Sequence, residues 1–545
     1  MSTITLYRLT GVDLKDRDFR TNVFSPDHSV TEVKLKPGIA ARLFVSLPPA
    51  RPLEWAAYLE QITRHKLAVN PRENAGAVLL IRAPRRNKTV YAATWGAGHF
   101  LMRPEHIEAD LGIRSALNLL SATGASRKWD PEKVRAIRTK RVGQTTLISQ
   151  TQASRKSSID VFPFSIDADQ LRQVTGSPAN PELWGSTITG GTSLHVKRPE
   201  LARQIIGLCS RIDKIFRSKL YQRHYGWYDN VAPVNDPELL KAAVSKLIGR
   251  LRAGNTEASS LAPPSLIEWE DTAKFEYQWG KQRVDASEPS IEGFVEFVKD
   301  RRLMDSLSLE SLQTKAKLNA LDDGGEKTGS WPLLKCFTAE LEINGQFYIL
   351  DEGGLFSVDR DYLEGLNAFV SKIKPITLRL PPSKPDQLED TYNRILAKKL
   401  QGAILLDKML VKRPEATDIE ICDVALGSRK LLHVKKGWSS SSLSHLFAQG
   451  VVSAELLHMD EGFRARVRTL IETKKLKGSA ADNLGLYSWL YSSPFEPGRC
   501  EIVYVVMTGG RPLRAQGLPF FSKVNLRQRC RELRRMGFAY SLTLA

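Results

Sequence analysis

An acidic and a basic side chain interrupt neighbouring apolar stretches in the last third of the sequence. Asp423 lies within the run Ile421–Val424, and Lys435 ends the run Leu431–Lys435. A carboxylate inside an apolar strand costs free energy unless it binds a cation or is paired. Carboxylates hold hard divalent ions, and a lysine can orient water beside a scissile phosphate. These residue types therefore predict a metal-dependent site for phosphodiester hydrolysis.

Three further side chains are candidates for the same site. His433 stands two residues before Lys435, and residues two apart on a strand project from the same face. Glu389 lies on the preceding helix and Gln449 on the following one. We expect the metal ligands to be Glu389 and Asp423. We expect the catalytic side chains to be Lys435, His433 and Gln449.

Hydrophobic patterns predict the elements that position these residues. The predicted elements are, in order, a helix over 386–400, strands over 402–406, 419–426 and 430–436, a helix over 441–458 and a strand over 501–507. This order favours a mixed sheet with flanking helices, in which adjacent strands bring polar residues to one edge. A very basic helix follows, and five of its side chains are predicted to bind nucleic acid: Arg527, Arg529, Arg531, Arg534 and Arg535.

The element order and the spacing of the polar residues resemble those of the PD-(D/E)XK, or restriction-endonuclease-like, nucleases. The resemblance covers residues 383–545 and implies a DNA endonuclease with Mg²⁺ or Mn²⁺ as its divalent cation. The chain departs from that family at His433, where the family has Asp or Glu. Three consequences stay open: the site uses manganese, it works through a rearranged carboxylate such as Glu420, or it is catalytically inactive.

Short motifs along the chain carry a second resemblance. They are WGAGH at 95–99, ADLGIRSALN at 109–118, DTYN at 390–393, and HVK at 433–435 followed by SHLFAQG at 444–450. These motifs resemble a sporadically distributed bacterial family of unknown function found on mobile elements and in phage-defence neighbourhoods. The resemblance implies a defence or restriction setting and supplies no reaction.

The charge of the chain predicts a polyanionic partner. The 79 Lys+Arg residues exceed the 60 Asp+Glu residues, which gives a formal net charge of +19. Basic surfaces neutralise phosphates and release counterions, so we expect nucleic acid, and DNA first, as the partner. The alternative interpretation is that the positive charge only keeps the protein soluble, or that it contacts anionic lipid.

The sequence also predicts where the protein works. It has no apolar run of about 20 residues and no apolar leader at its start, so we expect neither export nor membrane binding. Its five cysteines are dispersed and form no CxxC pair, which argues against a disulfide framework or a zinc site. Together these features predict a cytoplasmic protein with reduced thiols.

Composition along the chain predicts a multidomain α+β or α/β protein. The predicted segments are an N-terminal α/β unit (1–125), a basic segment (126–158), a mixed helix-containing unit (159–274), a β-meander-containing unit (275–382) and a nuclease-like domain (383–545). The basic segment is a linker, an exposed strand pair or a phosphate-contacting arm. Asn344-Gly345 predicts a hairpin turn in the meander. The glycine-rich stretch 185–192 lacks the lysine of a phosphate-binding loop and is predicted to be a turn.

Three functions are compatible with this sequence. The first is a nucleic-acid-binding defence protein that acts as a metal-dependent DNA endonuclease. The second is a catalytically inactive nuclease-like sensor or adaptor in phage defence, which the missing acid at position 433 favours. The third is a toxin-like effector that acts on another target. A homo-oligomer, or a partner protein from a defence system, is compatible with all three.

Overall fold

The computed structural model describes two compact units of a mixed α+β protein, which confirms the predicted fold class at that level. The first unit contains most of the described residues up to Asp229, and the second contains Asn230–Ala545. The helix predicted near 53–66 lies outside the described residues. The described residues are 2–17, 19–26, 29–46, 75–82, 89–103, 106–123, 130, 132–141, 147–159, 169–198, 204–265, 267, 269–412, 418–438 and 440–545.

A ten-stranded sheet forms the first unit. Its strands are β1 (Ser2–Leu9), β2 (Thr31–Val33), β3 (Ala41–Ser46), β4 (Gly76–Arg82), β5 (Val90–Gly96), β6 (Val134–Arg141), β7 (Leu147–Ser157), β8 (Asp169–Gly176), β9 (Ile188–Gly190) and β10 (Leu194–Arg198). They lie in the order β2-β3-β4-β5-β1-β10-β9-β8-β6-β7. The helices of the unit are α1 (Phe19–Val23), α2 (Leu111–Ser121), α3 (Pro181–Trp184), α4 (Ile205–Phe216) and α5 (Gln222–Tyr225).

This sheet crosses the segment boundaries predicted at 125 and 158. Strand β1 pairs with β10, almost two hundred residues away, so residues from three predicted segments share one sheet. The basic segment supplies β6 and β7 at the sheet edge, which corresponds to its strand-pair alternative. The composition of a segment does not show which distant strands it pairs with, and here strands from all three segments pair in one sheet.

Glycines bring helix α2 into backbone contact with the β9–β10 hairpin. A Cβ atom on Gly112 would lie 2.0 Å from the Ser193 carbonyl oxygen, and one on Gly190 would lie 2.1 Å from the Gly112 carbonyl oxygen. Neither position has room for a side chain. Gly190 ends β9 and Gly191 begins the bend into β10, so the stretch 185–192 predicted to be a turn is a strand over 188–190 and bends only on either side of it.

The second unit begins with two antiparallel sheets. Their strands are β11 (Val231–Val234), β12 (Ser259–Leu261), β13 (Lys274–Trp279), β14 (Gln282–Ala286), β15 (Ala316–Leu321), β16 (Lys327–Pro332), β17 (Phe337–Ile343), β18 (Gln346–Asp351) and β19 (Gly354–Val358), in the orders β11-β19-β18-β17-β12 and β14-β13-β15-β16. The accompanying helices are α6 (Pro237–Arg252), α7 (Ile291–Asp300), α8 (Leu309–Thr314), α9 (Leu333–Cys336) and α10 (Arg360–Lys372). The predicted hairpin is confirmed, since Asn344 (φ 52°) and Gly345 (φ 75°) form the turn between β17 and β18.

A third, mixed sheet completes the second unit. Its order is β20-β23-β24-β25-β26, for strands β20 (Ala403–Leu405), β23 (Val424–Leu426), β24 (Lys430–Lys436), β25 (Glu501–Met507) and β26 (Ala539–Leu544). Between β20 and β23 lies a small hairpin of β21 (Leu410–Val411) and β22 (Ile419–Glu420). The helices are α11 (Glu389–Lys399), α12 (Ser440–Met459), α13 (Glu461–Thr473) and α14 (Phe520–Arg535).

The mixed sheet has helices on both faces. Strands β20, β23 and β24 pair antiparallel, whereas β24, β25 and β26 run parallel. Leu432 and Val434 face the core under α11, and Leu431 faces the core that contains α12 and α14. The structure confirms the predicted order of helix, strands, helix and strand; α13, β26 and the small hairpin were not predicted.

Helix α14 is anchored in the meander sheet. The Glu340 carboxylate on β17 is 5% exposed and accepts hydrogen bonds from the backbone nitrogens of Phe520 (2.6 Å) and Phe521 (3.1 Å). A negative charge at a helix N-terminus also interacts favourably with the helix dipole. Both phenylalanines bury their rings in a cluster with Ile349 and Val358 of the meander. The segments predicted as 275–382 and 383–545 therefore share a core.

Helix α12 approaches β25 through Gly450. A Cβ atom there would lie 2.6 Å from Cε1 and 2.8 Å from the hydroxyl oxygen of Tyr504, which is fully buried and donates a hydrogen bond to the Phe447 carbonyl. We expect Gly450→Ala to destabilise the protein by about 1–3 kcal/mol, because the added methyl group overpacks the interface. Thermal unfolding measures the effect.

The matched control for this prediction is Gly249→Ala in helix α6. A Cβ atom at Gly249 would meet nothing within 4 Å, so alanine should leave stability unchanged or raise it through helix propensity. Equal melting temperatures for Gly450→Ala and the parent protein would contradict the close approach of α12 to Tyr504.

Candidate active site

Three carboxylates converge at one end of the mixed sheet. Asp407, Glu420 and Asp423 each offer an oxygen, and these oxygens lie within 4.8 Å of one another. Asp407 follows β20, Glu420 ends β22, and Asp423 immediately precedes β23. Oxygen donors at this spacing are the ligand type that hard divalent cations prefer.

Asp423 reaches the group because its strand is interrupted. The strand predicted over 419–426 is broken at 421–423, where Ile421 and Cys422 both turn into the core beneath α12. The Asp423 carboxylate then accepts hydrogen bonds from Asn393 Nδ2 at Oδ1 (3.0 Å) and from the Val434 backbone nitrogen at Oδ2 (2.8 Å). These two contacts fix its orientation.

Burial and mutual repulsion make two of these carboxylates, Asp423 and Glu420, hard to ionise. Burial, followed by the charge of Glu420, raises the pKa of Asp423 to about 8. Burial likewise raises the pKa of Glu420 to about 7, although the Lys408 backbone nitrogen donates a 2.6 Å hydrogen bond to its Oε1. Crowded carboxylates of this kind gain stability when a cation joins them, because it removes their repulsion.

Lys435 and Glu389 form a pair next to the carboxylates. Lys435 Nζ lies 3.2 Å from Glu389 Oε2, and the Lys436 backbone nitrogen donates to Glu389 Oε1 at 2.9 Å. Glu389 and Asn393 are one turn apart on α11 and face the same way. The side chains of Lys435 and Glu389 are 29% and 35% exposed, so a substrate can reach them. Lys435 also lowers the pKa of Glu420 by its charge, which places it in the same electrostatic environment.

One face of helix α12 borders this group. His445, Gln449 and Ser453 follow at four-residue spacing and therefore lie on one face of the helix. The Ser453 hydroxyl donates to the Glu420 carbonyl at 3.3 Å. Burial and the charge of Lys435 lower the pKa of His445. Gln449 therefore lies between two side chains that both adjoin the site.

His433 is buried in the sheet interior, whereas Glu389 and Lys435 are partly exposed. It is 2% exposed, its ring centroid lies 6.4 Å from that of Tyr504, and burial lowers its pKa to about 3. Its Nε2 atom has no hydrogen-bond partner among the described residues. His433 is thus a neutral side chain in the sheet interior, and the structure brings together Glu389, Asp423 and Lys435 without it.

The direction of α14 separates its basic end from the carboxylates. Helix α14 connects the parallel strands β25 and β26, so it runs back along the sheet. Its last turn lies close to Ala539, which pairs with Glu501 at the start of β25. Lys435 pairs with Val506 near the other end of β25. About 17 Å of strand therefore separates the two ends.

The five arginines predicted to bind nucleic acid are not brought to the carboxylate group. Arg527 donates to the Tyr362 hydroxyl at 3.1 Å, and Arg529 pairs with Glu532 at 2.7 Å. The exposed arginines lie at the far end of the helix: Arg531, Arg534 and Arg535. These three side chains therefore lie away from Lys435.

Comparison with known proteins gives one match. The profile described as Family of unknown function (DUF6119) matches residues 4–545. The chain belongs to this family. No curated protein and no solved structure matches the chain. Within the described part of this family member, no helix combines the length and apolar character that crossing a membrane requires.

Two residues of the site were missed from the sequence. Asp407 directly follows the apolar run 403–406, and an acid at the end of a buried strand was the signal that could have identified it. Asn393 stands one helical turn after Glu389, in the DTYN motif. Asp407 joins the group through the segment between β20 and β23, and Asn393 through the contact of helix α11 with β23 and β24, and no local pattern contains either arrangement.

Proposed function

We propose that residues 383–545 form a restriction-endonuclease-like domain and that the protein is a metal-dependent nuclease of a defence system, which hydrolyses phosphodiester bonds in DNA. The observation that carries this proposal is the grouping of Asp407, Glu420 and Asp423 within 4.8 Å, next to the Glu389–Lys435 pair. The order of elements around the site and the net charge of +19 support it further.

The residues present fit a hard divalent cation. Asp407, Glu420 and Asp423 would hold it, and all three donors are oxygens, which suits Mg²⁺ and Mn²⁺. Burial and the charges of neighbouring carboxylates raise the pKa values of Asp423 and Glu420, so a cation bound among these groups would relieve their mutual repulsion. When bound, such a cation supplies charge that stabilises the phosphate during hydrolysis. Of the consequences left open by His433, this arrangement favours a rearranged carboxylate, Glu420.

The chain itself supplies a hydrogen-bond donor for the phosphate, Lys435, and a carboxylate that positions it, Glu389. The Lys435 ammonium group can donate a hydrogen bond to a non-bridging phosphate oxygen, a charge-assisted contact that also favours attack by water. Glu389 holds that ammonium group at 3.2 Å and is itself held by the Lys436 backbone nitrogen. Gln449 and His445 on α12 border the space in which the scissile phosphate would lie.

Lys435→Met tests the proposal. Purified protein is incubated with plasmid DNA, linear DNA and RNA in Mg²⁺, in Mn²⁺ and in EDTA. We expect cation-dependent DNA cleavage, reduced about a hundredfold in Lys435→Met, because the phosphate loses its charged donor. The matched control is Lys399→Met, the same charge change at the exposed, distant end of α11, which should cleave like the parent. Equal cleavage by Lys435→Met and the parent would contradict the proposal.

A binding protein without nuclease activity is the second candidate function. The buried, neutral His433 favours it, because His433 stands where the PD-(D/E)XK nucleases have Asp or Glu. In this case the protein acts as a nucleic-acid sensor or adaptor. It would bind DNA or RNA at low salt but cleave neither in any divalent cation, and Lys435→Met would change no cleavage rate.

A further inference from the structure

The motif ADLGIRSALN at 109–118 has no part in the proposed nuclease site. It forms the start of helix α2 in the first unit, with Asp110, Arg114 and Asn118 at four-residue spacing on one face. Gly112 and Ala116 lie on another face, against the β9–β10 hairpin. The polar face must therefore serve another purpose.

The polar face of α2 holds the chain that follows helix α4. Asn118 is fully buried; its Oδ1 accepts from the Tyr221 backbone nitrogen at 3.0 Å, and its Nδ2 donates to the Ser218 carbonyl at 3.1 Å. Asp110 accepts from the Tyr228 hydroxyl at 2.8 Å and pairs with Arg114 at 2.6 Å. These bonds shape the turn 217–221 into one wall of a pocket.

The pocket has a volume of about 530 Å³ and a mainly polar lining. Its lining includes Arg114, Arg217, Ser218, Lys219 and Asp229. A volume of about 300–1,000 Å³ is typical of small-ligand sites, and this one exceeds the size of a lone phosphate. All of these residues belong to the first unit.

The acid in the pocket is already satisfied. Asp229 Oδ1 accepts from the Tyr221 hydroxyl at 2.6 Å, and Oδ2 accepts from Gln222 Nε2 at 2.8 Å. Both carboxylate oxygens therefore have donors within the protein. Asp229 offers little to a ligand cation, although it carries the negative charge of the lining.

Donors in the pocket are not all satisfied. Arg114 and Arg217 each use one edge of the guanidinium group, for Asp110 and Asp213 respectively, and keep further N–H groups. The Ser218 hydroxyl has no partner among the described residues. Lys219 is exposed, and in the described part of the chain its ammonium group has no partner. The unused hydrogen-bonding capacity is thus cationic and donating, which suits an anion.

We propose that this pocket binds a phosphorylated ligand, with Arg114, Arg217 and Lys219 as the donors to its phosphate oxygens. Guanidinium, ammonium and hydroxyl groups are the side chains that bind phosphate in proteins. The phosphate belongs to a free nucleotide or to an oligonucleotide backbone, and the remaining volume accepts the organic part next to Tyr221. This site is independent of the proposed nuclease chemistry.

Calorimetric titration of the full-length protein in EDTA tests the proposal. The probes are inorganic pyrophosphate, AMP and a short single-stranded DNA, which separate a free-nucleotide source from a backbone source. We expect at least one probe to bind, and Lys219→Glu and Arg217→Glu each to weaken that binding at least about tenfold, because a charged hydrogen bond is lost and repulsion is added.

Lys214→Glu is the matched control. Lys214 is exposed in the last turn of α4, just before the turn 217–221 and outside the pocket lining, so the same charge reversal should leave affinity within about twofold. Melting temperatures establish that the variants are folded, and Lys219→Ala provides a milder substitution. Lys435→Met should bind the probe like the parent, which separates this site from the nuclease proposal. Absence of binding by all three probes, or equal loss in Lys214→Glu and Lys219→Glu, would overturn the proposal.

Discussion

Replacing Asp423 with asparagine should reduce cation-dependent DNA cleavage about a thousandfold, while DNA binding at low salt stays within about threefold of the parent. Asp423 is held by Asn393 and by the Val434 backbone nitrogen with its oxygens close to those of Asp407 and Glu420. A neutral amide in its place removes one anionic cation ligand, which affects chemistry more than docking on the phosphate backbone. Cleavage time courses and a fluorescence binding assay measure the two effects.

The control for this prediction is Asp390→Asn. Asp390 lies on α11 beside Glu389 but pairs with Arg394 at 3.3 Å, outside the carboxylate group. It should cleave like the parent protein. If Asp423→Asn, folded by its melting temperature, also cleaved at the parental rate, the active site would lie elsewhere or be absent. The binding interpretation would then replace the nuclease proposal.

Replacing Glu420 with glutamine should abolish cleavage and yet stabilise the cation-free protein at pH 8. The pKa of Glu420 is raised to about 7, mainly by burial, so the folded state holds its proton more tightly than the unfolded state does. Stability from this group is therefore complete below about pH 4.5 and is lost as pH rises through about 7. Glutamine does not ionise and avoids this loss, which amounts to about 1–3 kcal/mol.

Melting temperatures in EDTA at pH 5 and pH 8 measure this second effect. Glu420→Gln should melt a few degrees above the parent at pH 8 and close to it at pH 5. Added Mn²⁺ should stabilise the parent more than the variant. The control is Glu455→Gln, an exposed carboxylate on α12, which should shift neither curve. A variant less stable than the parent at pH 8 would show that ionisation of Glu420 does not destabilise the folded protein.

The sequence predicted four of the five strands of the mixed sheet, all except β26, because their patterns are local. Strand β24 is buried on both faces and reads as a short apolar run, and α12 begins and ends within one residue of its predicted range. Glu389, Asp423 and Lys435 followed from their positions at the ends of these elements. Asn344-Gly345 gave the hairpin because both residues adopt positive φ angles there.

Other features depend on contacts between distant segments, which no local pattern contains. Asp407 joins the site because a small hairpin folds back between β20 and β23. His433 alternates correctly with Lys435, but alternation does not reveal that α12 and Tyr504 cover one residue and leave the other partly exposed. The arginines of α14 were grouped by composition, whereas their distance from Lys435 follows from the parallel pairing of β25 and β26.

The hydrogen bonds from Phe520 and Phe521 to Glu340 bear on how freely this part of the chain could be exchanged between proteins. A fragment starting at residue 383 would lack Glu340, leaving two backbone nitrogens of α14 without their acceptor and exposing two aromatic rings. Gene fusion or recombination at that point would therefore yield a product that is less stable and prone to aggregate. A fragment that carries the carboxylate group and keeps these contacts must therefore include β17.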